Sequence, residues 1–383
     1  MSKAKKQIGG KARACAVLAL IALLGLATSA ATASALPARF WGVVPQSVPT
    51  PEQFQRLHRG GVDSMRVPLD WGSLQPQPGG AIDWSGADNI LERAGASGIE
   101  VLPFITGAPS WAVPSVNVPG GGSAKAPAHL PVSGPAAGAW KNFLTQAVLR
   151  YGPAGSFWAT HPAVPERPIR AWQIWNEQNF KYFVAKPNPA EYGKLVKLSY
   201  SAVKSADPGA QVVLGGMFAR PKGSRTPSGK HKSLNWFASD FLERLYEKTP
   251  GVKTKFNGVA LHPYTGRYQE LTPEIEEFRA ILTQFHDSGK GLWITELGWS
   301  SQPPAPSTNI FAKGATGQAN QLKGAFSLLR SKQVKWRIQR VYWFSVDDAV
   351  GACNFCDGSG LFKKGFIPKK AWYAYVKFAG GTP

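Results

Sequence analysis

The chain predicts an α/β fold, a closed (β/α)8 TIM barrel forming a single domain. Three observations carry that expectation. Short, continuous apolar runs alternate with helical stretches throughout residues 36–383, the pattern of parallel strands covered on both faces. Eight such runs can be counted, as a barrel of βα units requires. No glycine-rich nucleotide loop follows the first of them, which counts against an open doubly wound sheet.

The expected strands are 40–44 (FWGVV), 62–69 (VDSMRVPL), 99–105 (IEVLPFI), 169–175 (IRAWQIW), 211–216 (QVVLGG), 257–263 (NGVALHP), 291–297 (GLWITEL) and 338–345 (IQRVYWFS). Helices between them carry start signals. Thr50-Pro51-Glu52-Gln53 supplies a cap, a first-turn proline and a glutamine at the third helical position. Asn188-Pro189-Ala190-Glu191 repeats the device, and Tyr192, Leu195, Val196, Ser199, Ala202 and Val203 then trace one helical face. Thr272-Pro273-Glu274 opens the helix before the seventh strand. Gly60-Gly61 and Asp207-Pro208-Gly209 stop helices just before a strand. A last helix is expected near 368–379. The Pro/Gly-rich stretch 114–138 is expected to be an irregular loop on the catalytic face, with a helix beginning near Ala139.

Residues 1–35 read as a secretory signal peptide rather than as part of the fold. Lys3, Lys5, Lys6, Lys11 and Arg13 precede an apolar stretch running to about Ala27, and Ala33-Ser34-Ala35 offers a small-residue cleavage site. The apolar run falls short of the roughly 20 residues that a membrane span needs. A secreted, extracellular or cell-wall-associated protein with no stable membrane anchor after cleavage is therefore expected. Two cysteines remain, Cys353 and Cys356, and outside the cell a pair so close is expected to close a small disulfide loop. The chain is strongly basic, with 44 lysines and arginines against 23 acids. That balance favours anionic neighbours, an acidic polysaccharide among them. No nucleic-acid-binding signature accompanies it. Arg220, Lys222, Arg225, Lys230 and Lys232 concentrate charge after the fifth strand, on the rim where an acidic glycan would arrive.

In a barrel all strand C-termini point to one face, where the site forms. Glu177 follows the fourth apolar run in WQIWNEQN, and Glu296 ends the seventh in GLWITELGWS. Two carboxylates converging across one mouth suit glycoside hydrolysis, in which one protonates the leaving oxygen and the other attacks or activates water. About 5 Å between them is the separation expected for a nucleophile.

WNE after the fourth strand and TELGW on the seventh resemble the two signatures of the clan A retaining glycoside hydrolases, in the cellulase-type (family 5) and family 39 branches. The resemblance covers essentially all of residues 36–383. It implies an acid/base at Glu177, a nucleophile at Glu296, and Asn176 holding a sugar 2-hydroxyl. Arg66 in SMRVP, His262 and Tyr264 in ALHPYTG, Trp343 in VYWFS and the stretch TGAPSWA at 106–112 agree with it. Gln178 departs from it, since many relatives carry proline there; glutamine restores an N–H and adds an amide, changing the nearest leaving-group contacts.

Arg66 is expected to hold the Glu296 carboxylate through a charge-assisted hydrogen bond, and Tyr264 to donate to it as well. His262 is expected either to touch substrate or to stand behind a residue that does. Of the 14 tryptophans, Trp111, Trp299 and Trp343 lie at strand ends and are expected to stack on sugar. Asp347-Asp348 is expected to be a solvated turn. The six histidines are scattered, so no metal site and no cofactor is expected. The partner is a carbohydrate and the chain is expected to act as a monomer. A non-catalytic carbohydrate-binding barrel is the alternative; it would keep the aromatics without needing both glutamates.

Overall fold

Eight parallel strands close on themselves in the computed structural model, which describes residues 36–222, 234–351, 353 and 355–383. The expectations for residues 1–35, and for Arg225, Lys230 and Lys232, fall outside these. The strands are β1 (Trp41–Val44), β2 (Ser64–Asp70), β3 (Glu100–Thr106), β4 (Ala171–Ile174), β5 (Gln211–Leu214), β6 (Gly258–His262), β7 (Gly291–Leu297) and β8 (Ile338–Phe344). Each hydrogen-bonds its neighbours in chain order, and β8 returns to β1 with Val43 opposite Trp343. β2 and β3 pair over seven residues, from Ser64–Glu100 to Asp70–Thr106. β5 and β6 share only the pair Val213–Gly258, supplemented by the two-residue strand Met217–Phe218 alongside β6.

The helices forming the outer layer are α1 (Pro51–Arg59), α2 (Ser85–Ser97), α3 (Gly134–Tyr151), α4 (Pro189–Ala206), α5 (Ala238–Lys248), α6 (Leu271–Gln284), α7 (Gly314–Ser331) and α8 (Lys370–Ala379). α1 starts with a reciprocal capping box: Gln53 N–H donates to Thr50 Oγ1, and Thr50 N–H to Gln53 Oε1. At α4 the Asn188 side chain accepts from the N–H groups of Ala190 and Glu191. The stretch 114–138 is more regular than expected. It contains an antiparallel hairpin of Ser115–Asn117 and Lys125–Pro127, and α3 begins at Gly134.

Strand side chains alternate between two environments, as the pleat requires. Residues such as Val43, Met65, Val101, Ile174, Ile294 and Val341 pack outward into a large core against the helices. Val44, Leu102, Val213, Ala260, Trp293 and Tyr342 form a second cluster that fills the barrel itself. Above that apolar plug the inward positions turn polar: Arg66, Gln173, His262 and Thr295, all fully buried. Polar groups so placed need partners. Their partners are each other and the two glutamates.

Candidate active site

Glu177 lies three residues beyond the last residue of β4, not at the strand's own tip. The backbone turns sharply there: Trp175 and Glu177 have φ of 72° and 42°, in the left-handed region that non-glycine residues rarely enter. Two bonds fix the turn, Trp175 N–H to Ile105 O at 2.7 Å and Glu177 N–H to Gly216 O at 2.9 Å. Glu296 lies within β7, one residue before its end. Ile294 pairs with Val341 and Leu297 with Trp343, so three steps on β7 span two on β8. This one-residue bulge turns Thr295 and Glu296, neighbours in sequence, both toward the barrel axis.

Arg66 organises what lies beneath. Its Nη1 donates to Glu296 Oε1 at 2.7 Å, its Nη2 to Asn176 Oδ1 at 2.6 Å and its Nε to Gln173 Oε1 at 2.6 Å. The Phe104 ring covers the guanidinium at 3.9 Å. Tyr264 donates its hydroxyl to the other oxygen of Glu296, Oε2, at 2.7 Å. Both oxygens of Glu296 thus accept a hydrogen bond. Glu177 receives no such pair; its Oε1 lies 2.8 Å from His262 Nδ1. Oxygens of Glu177 and Glu296 and a nitrogen of His262 all lie within 4.8 Å of one another.

The hydrogen-bond directions can be assigned from chemistry. Arginine only donates, so Gln173 must turn its carbonyl oxygen to Arg66. Its amide nitrogen then donates to Leu214 O at 3.1 Å and Thr295 Oγ1 at 3.2 Å. The only other hydrogen bond described for the Thr295 hydroxyl is the one it accepts, so its own proton goes to His262 Nε2, 3.0 Å away. The neutral imidazole therefore carries its proton on Nδ1 and gives it to Glu177 Oε1. Burial and the nearby Arg66 charge hold the His262 pKa well below its ordinary value. Burial first, then the charge of Glu296, raise the Glu177 carboxyl well above the usual carboxylate range, against the pull of Arg66. With Oε1 accepting from histidine, the proton of Glu177 sits on Oε2. Burial and Glu296 likewise raise Tyr264, which stays a phenol.

Residues 174–369 match the family model described as the glycosyl hydrolase catalytic core. The chain belongs to that family. It is 30% identical over 230 residues to a β-xylosidase of Geobacillus stearothermophilus, covering 55% of this chain and 41% of that protein. The chain thus spans less than half the length of this curated relative. Among solved structures, a family 39 glycoside hydrolase from Bacteroides cellulosilyticus superposes with a TM-score of 0.62 at 17% identity, covering 90% of this chain and 64% of that one. A monomeric β-xylosidase from Caulobacter crescentus gives 0.59 at 17% identity over 89% and 68% of the two chains. At that identity the structural likeness speaks for the barrel fold.

In this glycosyl hydrolase core a cavity of about 590 Å³ opens over the glutamates. Asn176, Glu177, Tyr264 and Glu296 line it, as the sequence led one to expect, while Arg66 and His262 do not. Those two are fully buried, Arg66 bonded to Glu296 as expected and His262 behind Glu177, the second of the two places expected for it, so neither is placed to touch substrate in this cavity. The expectation for the three tryptophans is corrected, since none lines the cavity. Trp343 faces the helices, with its N–H on Ser359 O and its ring beside Trp299 and Phe326. Trp299 is fully buried with its N–H on Thr265 O, and Trp111 packs edge-on to Trp71 with its N–H on Gln75 O.

The aromatic lining is instead made by Phe104, Phe180, Phe183, Phe218, Phe311, Phe344 and Phe355, all half-buried, together with Tyr264. Strand parity could have found Phe344, because Val341 and Trp343 share the outward face and leave the next residue inward. Cys353 and Cys356 form a disulfide that also borders the cavity. Gln178 is buried away from it, donating to Gly215 O, so its departure from proline alters the loop's support and not the leaving-group contacts. Asp348 is no solvated turn but accepts from Lys369 at 2.6 Å. Arg220 turns from the rim to Glu277 at 2.6 Å and Glu274 at 3.8 Å.

Proposed function

We propose that the protein is a retaining β-glycosidase, exported after removal of residues 1–35 and acting as a monomer. One observation carries the mechanism: two buried carboxyl groups with oxygens within 4.8 Å, the pKa of one raised by burial and the other accepting from both Arg66 and Tyr264. Retaining enzymes keep their carboxyl groups about 5–5.5 Å apart, whereas inverting ones need roughly 6.5–9.5 Å to admit a water. Glu177 gives its Oε2 proton to the glycosidic oxygen as the Glu296 carboxylate attacks the anomeric carbon, forming a glycosyl ester and releasing the alcohol. The Glu296 charge is then gone, the Glu177 pKa falls, and Glu177 takes a proton from the water that cleaves the ester. Asn176, whose Oδ1 is committed to Arg66, has its amide nitrogen left for a sugar hydroxyl.

The β-xylosidase relatives support a β-linked neutral sugar. So does the cavity, whose described lining contains no lysine or arginine. An anionic glycan is proposed only as a surface partner of the basic chain. A non-catalytic sugar-binding barrel would have no use for two carboxyl groups buried this close together.

Glu296→Ala is expected to abolish turnover on every substrate. Glu177→Ala should keep the first step for substrates with good leaving groups, and azide should rescue it to give the β-glycosyl azide. NMR of the first-formed product is the deciding measurement: inversion at the anomeric carbon would overturn the two-glutamate mechanism.

A further inference from the structure

The polar groups of the cavity are few and joined to one another. Asn176, Glu177, Tyr264 and Glu296 belong to a single hydrogen-bonded cluster, and Gln46 is the remaining polar side chain among the described lining residues. That supply is enough for the hydroxyls of one sugar ring. A second or third sugar in the same cavity would press its hydroxyls against phenylalanine, and each hydroxyl buried without a partner weakens binding about tenfold or more.

Around them runs a connected aromatic arc that passes through Tyr264 itself. Phe180 packs on Phe218 with centroids 5.4 Å apart, Phe218 on Tyr264 at 5.8 Å, Tyr264 on Phe355 at 5.3 Å, and Phe355 on Phe344 at 5.8 Å. Ring planes turn through 64° between Phe218 and Tyr264 and through 77° between Tyr264 and Phe355. Rings so rotated make a cup, not the flat surface on which a sugar face stacks. Phenylalanine, unlike tryptophan, has no N–H to offer a hydroxyl. The Cys353–Cys356 disulfide closes the cup beside Phe355 with two more apolar atoms. A concave wall of phenylalanines beside a few convergent polar groups suits a ligand with an apolar part.

We infer that the leaving group is an apolar alcohol, alkyl or aryl, so that the substrate is a glycoside of one sugar on a hydrophobic aglycone and not a polysaccharide. The inference rests on the glycosidase reading: the sugar sits at the glutamates, and the aglycone fills the cup lined by Phe218, Phe355 and Phe344.

A nitrophenyl β-glycoside panel first identifies the sugar. Methyl, butyl and octyl β-glycosides of that sugar are then compared with its β-linked disaccharide. We expect kcat/KM to rise about two- to fourfold per methylene and octyl to exceed the disaccharide at least 50-fold. Phe355→Ser should lower the octyl-to-methyl ratio about tenfold. A flat alkyl series, or a disaccharide that outruns the octyl glycoside, would overturn the inference while leaving the glycosidase reading intact. If no glycoside in the panel is cleaved, the glycosidase reading fails instead. The cup is then read without turnover, by thermal shift with 2-naphthol and with octanol: stabilisation that Phe355→Ser removes supports it, and no shift overturns it.

Discussion

Arg66 illustrates how one side chain with donors and no acceptor sets the state of groups it never touches. Its bond to Gln173 fixes that amide, the amide fixes Thr295, and Thr295 fixes the His262 tautomer that leaves the Glu177 proton on Oε2. Thr295→Val removes the proton that His262 Nε2 accepts. The imidazole can then carry its proton on Nε2, and the Glu177 proton turns inward to Nδ1. With poor leaving groups kcat is expected to fall about 2- to 10-fold, the range for losing a hydrogen bond between neutral groups. Activated leaving groups should be affected little, and Thr295→Ser should restore both. Equal losses with both leaving groups would mean that Thr295 serves packing alone. The raised Glu177 pKa adds a sign to the pH profile, because the acid form persists above the usual carboxylate range and is lost as pH rises through the raised pKa, giving an alkaline limb. At this scale the glutamates and Asn176 stood out as polar residues that end or follow apolar runs, whereas Arg66, inside its strand, and Tyr264 were marked by the motif resemblance. The tryptophans misled because position along a strand was read without its face.

The elements around the site repeat that lesson over longer stretches. Capping signals at Thr50 and Asn188 were legible because they act within four residues. The β7 bulge was not, since it exists only against β8; its trace in the sequence is two polar residues in a row, Thr295-Glu296, inside an otherwise apolar strand. The hairpin at 115–127 was missed because its strands are three residues long. On α6, Glu274 is buried, its Oε2 finds no hydrogen-bond partner among the described residues, and burial lifts its pKa to about 8. A folded-state pKa raised above the unfolded value of 4.5 means that stability is full below about pH 4.5 and declines as pH rises towards about 8. Glu274→Gln should therefore raise Tm by about 2–5 °C at pH 8.5 and leave it unchanged at pH 4.5. Calorimetry at the two pH values checks this, and a rise of equal size at both would assign the effect to packing.

For the whole molecule, strand count and order were readable from the alternation of elements, whereas the quality of each strand-to-strand ladder was not. β5 ends early because Gly215 and Gly216 follow it, and a Cβ at either would collide, with Gln178 at the first and with His262 at the second. The room that the histidine needs is thus taken from the ladder, leaving the single pair Val213–Gly258 and the short Met217–Phe218 strand to close that part of the wall. A closed barrel opens where its edge bonds are fewest. Amide hydrogens of 212–218 and 258–262 are expected to exchange with deuterium at least tenfold faster than those of β2 and β3, which hold each other over seven residues. A glycosyl-enzyme trapped on Glu296 should slow that exchange, because Tyr264 and His262 would be clamped from above; uniform protection around the ring would contradict this. The seam is then also the place where a circularly permuted chain could begin and end at least cost to the barrel, provided its new termini leave Gly216 against the imidazole.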